Sequence, residues 1–348
     1  MRILQARGVW PGLIPPFVLG AVAFGIGRLV PTLGAPVVGI VLGLLVGQLV
    51  GQPASIAAGT KFCAKRVLQA SIVLLGAGLS LPVIARVGLT GLPVLIGTIV
   101  VVVGVGLPLT RWLKVERETG ALITYGTSIC GASAIATMSQ VIGAAPTTVA
   151  VSIAVIVVYN VLAAIVFPYA GQLIGLSPES FGLWAGTAVN DTSSVVAAAT
   201  SYDQLLLQVG IGGGVAAGTA VVVKLTRTLA LIPLALFEQW RSRRGRPEAG
   251  APTEWYRLVP PFLVLFLVAA AINSLGVIPA AAAPTIKTLA VYGTTVAMTA
   301  VGMSSSFRQI RDAGWRPLAL GGILWAAIIA AAIGLQMLTG QWHAMATP

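Results

Sequence analysis

One carboxylate, that of Asp191, lies in a segment that is otherwise apolar enough to span a bilayer. The residues on either side of it, 182–186 and 195–199, are apolar or small. A charged side chain at that depth costs free energy, and such residues mark ion and substrate pathways in membrane proteins. We therefore interpret Asp191 as a binding site for a coupling ion or a proton. The alternative interpretation is a structural ion pair that joins two helices.

Polar neighbours extend the candidate site around this carboxylate. An amide and three hydroxyls adjoin it in the sequence: Asn190, Thr192, Ser193 and Ser194. Such groups can replace the hydration shell of a small ion or of an oxyanion. Their alternative role is hydrogen bonding between helices, which is worth well under about 2 kcal/mol per group in membranes.

A second polar island lies in another apolar segment, at residues 126–134. Gly126 and Gly131 give the backbone freedom there, and three hydroxyls can form hydrogen bonds: Thr127, Ser128 and Ser133. If the helix breaks at this island, the N-terminus of the second half exposes free N–H groups and a positive dipole end, which favour an anion. The alternative is an unbroken helix of closely packed small residues. Cys130 is a candidate nucleophile, but packing is the better interpretation because no histidine or acid is near it in sequence.

Two cations occupy a third predicted span. Lys224 is near its centre, and Arg227 follows one turn later on nearly the same face. Because a buried lysine needs an anion and Asp191 is the one acid predicted inside the bilayer, we expect a direct contact between Asp191 and Lys224. An anionic substrate would neutralise the remaining positive charge. Alternatively, Arg227 snorkels or binds backbone carbonyls.

Composition places these residues in a membrane protein. Hydrophobic residues make up 57% of the 348 residues and charged residues 9%, and the mean hydropathy is +0.95. Soluble domains carry about 25% charged residues. The net charge of +12 does not indicate nucleic acid, because the cations lie in short loops between apolar runs. We expect one membrane domain, no cofactor and no metal site. The sequence has no nucleotide-binding loop, which argues against ATP-driven transport. It has two cysteines and a single histidine, His343, near the C-terminus, which argues against Cys–His metal chemistry.

Apolar windows predict an all-α polytopic membrane protein with about eleven transmembrane helices. The predicted spans are 11–30, 35–51, 64–84, 91–113, 119–140, 146–171, 181–201, 205–237, 257–275, 284–304 and 315–338. The span 205–237 is long enough for a strongly tilted helix or for one that projects into the cytoplasm.

The distribution of cations predicts an orientation. With the N-terminus inside, sixteen of the 21 Lys and Arg residues fall in inside segments and three in outside segments. This bias favours an odd number of crossings, an outside C-terminus and a basic cytoplasmic loop at 238–256. It also requires that the two polar islands either both cross the membrane or both re-enter it. We favour crossing helices that are interrupted at the islands.

Short similarities indicate an internal repeat. Residues 125–128 (YGTS) resemble 292–295 (YGTT), five spans later and in the opposite direction, as inverted repeats require. The candidate repeats are 35–171 and 181–338, with the helix 11–30 additional. Two rival matches exist: GLS at 78–80 with GMS at 302–304, and GT at 126–127 with GT at 186–187.

The segments 126–136 (GTSICGASAIA) and 181–192 (FGLWAGTAVNDT) resemble those of the YeiH family of bacterial inner-membrane proteins, which are often labelled sulfate exporters. The resemblance covers most of the chain, includes GAGLSL at 76–81 and implies a location in the bacterial plasma membrane. The chain also resembles, more distantly, the bile-acid/arsenite/riboflavin transporters. That resemblance implies two inverted five-helix repeats, broken helices that cross at 119–140 and 284–304, and a core that moves against a scaffold. The family usually has His at the position of Asn190 and Gln at that of Ser194, which argues against proton coupling through a histidine here.

Together these features predict a secondary active transporter of a small anion, such as a sulfur oxyanion or a sulfonate, with elevator-type alternating access. The predicted binding residues are Thr127, Ser128, Cys130, Gly131, Ser133, Asn190 to Ser194 and Lys224. The partners that we expect are the anion, H⁺ or Na⁺ as a coupling ion, the lipid bilayer and a second copy of the chain, with no nucleic acid. The alternatives are a cation/proton antiporter that uses Asp191, an intramembrane enzyme that uses Cys130 or Ser133, and a scaffold without transport activity.

Overall fold

The computed structural model describes residues 9–30, 34–51, 53–208, 210–211, 214–234, 261–305 and 311–344. Within these ranges the chain is almost entirely helical, apart from an isolated β-bridge between Leu176 and Ala344. The α-helices are α1 (Val9–Leu29), α2 (Ala35–Val50), α3 (Ala54–Phe62), α4 (Leu68–Gly76), α5 (Leu81–Trp112), α6 (Arg117–Ser128), α7 (Ala132–Ile142), α8 (Pro146–Leu173), α9 (Pro178–Ala188), α10 (Thr192–Leu207), α11 (Val215–Leu229), α12 (Pro261–Ser274), α13 (Ala283–Ser304) and α14 (Trp315–Leu338). The predicted basic loop 238–256 lies outside the described residues.

Several helices are long and apolar enough to cross a membrane. Five qualify by length and composition among the described residues, and their limits are Trp10–Leu29, Leu81–Trp112, Pro146–Leu173, Val215–Leu234 and Trp315–Leu338. Large apolar side chains cover the outer surface, with Leu49 and Leu338 both 84% exposed. An apolar surface of this extent suits a lipid environment better than water. The chain is therefore an all-α polytopic membrane protein, as the sequence predicts.

Helices α6 and α7 form a re-entrant hairpin, which we call hairpin 1 (117–142). The Ser152 hydroxyl, near the start of α8, lies 3.5 Å from the Thr119 carbonyl oxygen near the start of α6. After the break, α7 turns back along α6, so that the Ile135 side chain lies 3.0 Å from where a Cβ on Gly126 would be. Helix α7 ends at Ile142, just before α8 begins. Both ends of hairpin 1 therefore lie at the N-terminal end of α8.

Helices α9 and α10 form a second re-entrant hairpin, which we call hairpin 2 (178–207). The rings of Phe181, near the start of α9, and Tyr202, near the end of α10, stack with centroids 3.8 Å apart. The Tyr202 hydroxyl also donates to the Leu176 carbonyl oxygen at 2.5 Å, just beyond the C-terminus of α8. Both ends of hairpin 2 therefore lie at the C-terminal end of α8. Since α8 runs from one side of the protein to the other, the two hairpins enter from opposite sides.

This arrangement corrects the prediction of interrupted crossing helices at 119–140 and 181–201. Each predicted span is a hairpin, because its polar tip turns the chain back instead of continuing it. Two of the eleven predicted spans therefore do not cross. Because both segments re-enter, every helix after hairpin 2 has the same direction as in the eleven-crossing prediction. The predicted excess of cations on the inside is therefore unaffected.

Other predicted boundaries also differ from the structure. The predicted span 64–84 is wrong at both ends, because the helical segment there begins at Ala54 and ends at Gly76, with a π-helical turn over Cys63–Val67. The next helix begins ten residues earlier than predicted, at Leu81. In the predicted span 205–237, α10 ends at Leu207 and α11 begins only at Val215, so the single long helix, whether tilted or projecting, is wrong. Helix α13 is continuous over Ala283–Ser304, so the predicted break in 284–304 is wrong as well.

The helices pack into two groups. One group contains α1 to α4, α12 and α13, in which α2 and α13 lie side by side. A Cβ added to Gly43 would overlap the Thr299 carbonyl oxygen, which shows how closely these two backbones approach. The other group contains α5 to α11 and α14, and therefore both hairpins. The groups meet where α10 contacts α2 and α13, and through an apolar cluster that includes Ile72, Val196 and Phe266.

Candidate functional site

The tips of the two hairpins have the same local design. Helix α6 ends at Ser128 and α7 begins at Ala132, while α9 ends at Ala188 and α10 begins at Thr192. Each tip is therefore three residues long, 129–131 in hairpin 1 and 189–191 in hairpin 2. Gly131 makes the first turn possible, because its φ of 68° and ψ of −128° are accessible to glycine and strained for other residues.

The two tips meet inside the group of helices that contains both hairpins. A Cβ added to Gly131 would lie 3.7 Å from the Asp191 Cβ and 3.6 Å from Nδ2 of Asn160, which is on α8. One point is thus bordered by hairpin 1, hairpin 2 and α8. The structure brings together the two polar islands of the sequence, as predicted.

Lys224, on α11, bridges the two tips. Its side chain is fully buried, and its Nζ donates to the Ile129 carbonyl oxygen at 3.0 Å and to the Val189 carbonyl oxygen at 2.7 Å. These two acceptors occupy equivalent positions in the two tips. The carbonyl groups at helix C-termini carry partial negative charge, so a buried ammonium group stabilises both ends.

Arg227 repeats this bridge one turn further along α11. Its Nε donates to the Ser128 carbonyl oxygen at 2.8 Å and its Nη2 to the Thr127 carbonyl oxygen at 2.8 Å, both in hairpin 1. Its Nη1 donates to the Thr187 carbonyl oxygen in hairpin 2. The sequence similarity between GT at 126–127 and GT at 186–187 aligns Thr127 with Thr187. In the structure, the carbonyl oxygens of these two residues accept from the same guanidinium group. The alternative interpretation, in which Arg227 binds backbone carbonyls, is confirmed.

Asp191 has a different partner from the one predicted. Its Oδ2 accepts hydrogen bonds from the backbone N–H groups of Ser193, at 3.1 Å, and Ser194, at 3.3 Å, and from the Ser193 hydroxyl. Asp191 is thus the N-cap of α10 and neutralises the positive end of that helix dipole. The predicted direct contact between Asp191 and Lys224 is wrong, because the carboxylate faces N–H groups at a helix start while the ammonium group faces carbonyls at helix ends.

Position 131 in hairpin 1 corresponds to Asp191 in hairpin 2, but it is a glycine. Helix α7 consequently has no side-chain cap at its N-terminus. The first residues of α7 are accessible, and Ser133 is exposed. The amide of Asn160 lies beside this uncapped end. Of the two helix starts at the tips, that of α10 has a side-chain cap and that of α7 has none.

Three buried oxygens near the tips have no hydrogen-bond partner among the described residues. They are Thr127 Oγ1, Asn160 Oδ1 and Asn190 Oδ1. Thr127 is fully buried, Asn190 is 1% exposed and Asn160 is 6% exposed. Buried polar atoms are almost always paired, so these three unpaired oxygens make the tips a candidate ligand site.

The remaining predicted site residues lie at or next to the tips. The Ser128 hydroxyl donates to the Tyr125 carbonyl oxygen of its own helix at 3.1 Å. Cys130 is buried in an apolar cluster with Ala134 and Leu231, as expected for a packing role. Thr192 is half-buried, and it begins α10.

Two functional candidates are absent from the sequence prediction. Asn160 lies among the apolar residues of α8, and an amide in the middle of such a run was the available signal. Asp203 is 3% exposed, and its carboxylate accepts from the N–H groups of Ala216, at 3.1 Å, and Ala217, at 2.9 Å. It caps α11 and is a second buried acid in hairpin 2, beside the predicted Asp191. Asp203 was missed because the predicted span ends at residue 201, six residues before the end of α10.

The fold and the site define an all-α polytopic membrane protein with two opposed re-entrant hairpins. The chain belongs to the family described as conserved hypothetical protein 698, whose profile matches residues 11–321. Its relatives include a UPF0324 membrane protein of Streptococcus pyogenes serotype M3, which is 39% identical over 340 residues that cover 95% of this chain and 98% of the relative. Another UPF0324 membrane protein, from Fusobacterium nucleatum, is 36% identical over 344 residues, with 94% and 98% covered.

One solved structure, that of a sodium proton antiporter from Methanocaldococcus jannaschii, matches over 91% of this chain and 97% of the antiporter. The sequence identity is 14% and the TM-score is 0.27. A similarity at this level carries no argument about the present protein.

Proposed function

We propose that this protein is a secondary active transporter of a small anion, and that it is not an enzyme. The observation that carries the proposal is the meeting of two re-entrant hairpins from opposite sides, with their tips bridged by the buried cations Lys224 and Arg227. Irregular backbone at membrane depth is tolerated where it is buried in protein or lines a cavity, and transporters bind their substrates at such breaks.

Charge supports an anion as the substrate. Around the tips, the described residues include two buried cations, Lys224 and Arg227, and one carboxylate, Asp191. The excess of one positive charge is costly in a low-dielectric interior unless a ligand neutralises it. The uncapped N-terminus of α7 adds the positive end of a helix dipole, and the Asn160 amide can donate a hydrogen bond there. The sulfur oxyanion or sulfonate class rests on the resemblance to the YeiH family.

The division of the helices supports alternating access. Both hairpins belong to the group α5 to α11 with α14, whereas α2 and α13 belong to the other group. A substrate held between the tips would move with the group of helices that contains the hairpins. Motion of that group along α2 and α13, with the substrate enclosed, is the elevator mechanism that we propose.

Cys130 does not favour an enzymatic alternative. Its thiol is buried among apolar side chains, and the described residues place no histidine beside it. A nucleophilic cysteine needs a base or a positive, accessible environment that makes the thiolate. Labelling of Cys130 or Ser133 by mechanism-based thiol or serine probes would support the enzyme instead.

Transport into proteoliposomes tests the proposal directly. Purified protein is reconstituted, and uptake of radiolabelled sulfate and of a small alkyl sulfonate is measured against protein-free vesicles. Lys224→Met removes the bridging ammonium group at similar volume, and Thr228→Val is the matched control because it removes only a hydrogen bond within α11. Lys224→Met removes two charge-assisted hydrogen bonds, and the loss of even one of them is worth about 1.5 kcal/mol, so we expect uptake to fall by about tenfold or more.

The possible results separate the alternatives. Uptake by Lys224→Met at the wild-type rate would contradict a role for the bridged tips. Exchange of Na⁺ for H⁺ with no movement of either anion would favour the cation/proton antiporter. The Thr228→Val variant should transport like the wild type, and its failure would show that the assay reports folding and not the site.

A further inference from the structure

Three cations lie within one helical segment of the group that contains α1 to α4, α12 and α13. Lys61, Lys65 and Arg66 belong to the segment from Ala54 to Gly76, in which seven helical residues precede Lys61 and ten follow Arg66. All three side chains are exposed. These cations therefore lie in the middle of a helix and not in a loop between two spans.

The π-helical turn over Cys63–Val67 gathers the three cations on one side of the segment. In a regular α-helix, residue 66 would point about 140° away from residue 61. The i→i+5 hydrogen bonds of a π turn make it wider, so Arg66 moves back towards the face of Lys61 and Lys65. We call these three exposed residues the basic patch.

The depth of the basic patch follows from the contacts of the same segment with α13. A Cβ added to Gly293, near the middle of α13, would overlap the Ser71 hydroxyl. Helix rise then places Arg66 about 7 Å and Lys61 about 15 Å from the level of Ser71. Since the hydrocarbon core is about 30 Å thick, the basic patch extends from within one half of the bilayer to its edge. Charged side chains at that depth need a polar partner.

The basic patch points away from the protein. The other side of the segment is buried, because Cys63 packs against Val296 and Ala300 of α13. Leu68 and Ile72 belong to the apolar cluster that joins the two groups of helices. Since these residues face the protein, the exposed cations face the surrounding lipid.

No carboxylate on the same group of helices neutralises the basic patch. The sequence has no Asp or Glu before residue 116 and none from 255 to 311, so α1 to α4, α12 and α13 contain no acid. The Arg66 Nη1 donates to the Gln69 Oε1 at 3.3 Å, and that acceptor is neutral. Three like charges within about one turn repel each other in a low-dielectric environment unless an anion lies among them.

We propose that the basic patch binds the headgroup of an anionic phospholipid. A phosphate accepts paired hydrogen bonds from a guanidinium group and attracts the compact charge of a lysine. Long cationic side chains reach the headgroup level while their apolar stems stay in the hydrocarbon region. A lipid also reaches a surface that faces the acyl chains, which a soluble anion does not, and clustered cations near that level attract anionic lipids.

The lipid site does not depend on the proposed transport. A lipid bound on α3 and α4 would anchor the group that contains α1 to α4, α12 and α13 in the bilayer. If the group with the hairpins moves past it, this anchor keeps the other group in place. That consequence alone rests on the proposed function.

Native mass spectrometry of the purified full-length chain tests the lipid site. The protein in detergent is titrated with phosphatidylglycerol, or with phosphatidylcholine that has the same acyl chains, and bound lipid is counted. We expect tighter binding of phosphatidylglycerol. The triple variant Lys61→Gln, Lys65→Gln, Arg66→Gln should raise the phosphatidylglycerol concentration for half occupancy by about tenfold or more. Equal binding of the two lipids by the wild type would overturn the inference.

A matched triple variant controls for the loss of positive charge. Arg111→Gln, Lys114→Gln, Arg117→Gln also removes three exposed cations, but Glu116 and Glu118 adjoin them in the sequence. We expect this control to bind phosphatidylglycerol like the wild type. A loss of affinity equal to that of the first triple variant would show general attraction to a positive surface, and it would overturn the site.

A single substitution keeps the test valid if the first triple variant fails to fold. Arg66→Gln removes the one guanidinium group of the basic patch, and we expect it to weaken phosphatidylglycerol binding by about fivefold. Wild-type affinity in this variant would overturn the assignment.

Sulfate uptake separates this inference from the proposed function. Uptake is measured in vesicles of phosphatidylcholine with and without phosphatidylglycerol. A preference for phosphatidylglycerol in the binding assay without sulfate uptake keeps the lipid site and counts against the transporter. Sulfate uptake without any lipid preference keeps the transporter and removes the lipid site. If the triple variant at residues 61, 65 and 66 lost uptake in pure phosphatidylcholine but bound phosphatidylglycerol like the wild type, the cations would line an aqueous route instead, and the inference would be overturned.

Discussion

The guanidinium group of Arg227 joins the two hairpins, and replacing it with lysine tests that role. Three donors of Arg227 reach three carbonyl oxygens, those of Thr127 and Ser128 in one hairpin and that of Thr187 in the other. Arg227→Lys preserves the charge but offers one nitrogen on a flexible stem. Three different nitrogen atoms of Arg227 reach the three carbonyl oxygens, and one ammonium nitrogen can occupy only one of those positions, so we expect one of the three hydrogen bonds to survive.

The loss of two hydrogen bonds sets the size of the effect. Bonds to charged groups are worth about 1.5–3 kcal/mol each in soluble proteins, whereas side-chain bonds in membranes average about 0.6 kcal/mol. Taking about 1–2 kcal/mol for a buried, charge-assisted bond in this setting, the free energy of unfolding should fall by about 2–4 kcal/mol.

Unfolding in mixed micelles with increasing denaturing detergent measures this free energy. Thr228→Val, which removes a hydroxyl bond within α11, is the control, and we expect it to change stability by less than about 0.5 kcal/mol. If Arg227→Lys were as stable as the wild type within the same margin, Arg227 would not hold the tips together. The re-entrant arrangement would then lose its main polar support.

Three further predictions follow from the tips and the hairpins. Asp191→Asn should fold, because an asparagine oxygen can still cap α10, but it should abolish coupled transport in proteoliposomes; wild-type transport would remove Asp191 from the mechanism. Gly131→Ala should lower the free energy of unfolding by about 1–3 kcal/mol, since φ is 68° and ψ is −128° there, and an unchanged stability would show that this turn is not formed. Single cysteines that replace Glu116 and Ala144 should react with an impermeant thiol reagent from the same side of a vesicle, and one that replaces Gly175 from the other side. Labelling of positions 116 and 144 from opposite sides would contradict hairpin 1.

The amino-acid sequence determined the class of the protein and the location of its polar centre. A charged fraction of 9% and long apolar runs leave no soluble alternative, so helices that span a bilayer follow from composition. The two polar islands and the cations of α11 were recognisable because polar groups at membrane depth are costly. Those features depend only on residue type and spacing along one segment.

The tertiary structure decided how these residues are paired. An interrupted helix and a hairpin have the same local sequence signature, a glycine and a few hydroxyls, so only the contacts of α6 and α9 with their neighbours show that the chain turns back. The positions of the cations did not distinguish hairpins from crossing helices. Two re-entrant segments leave the charged loops on the same sides of the membrane as two crossing segments do.

The same limit explains the partners of the charged groups. Sequence arithmetic pairs Lys224 with Asp191, since it counts formal charges. The fold instead places the cations at helix C-termini and Asp191 at a helix N-terminus, where they meet the partial charges of the backbone. The partial charges arise when each helix forms, and they meet the charged side chains only when the helices pack together. An analysis of one segment at a time therefore could not predict these partners.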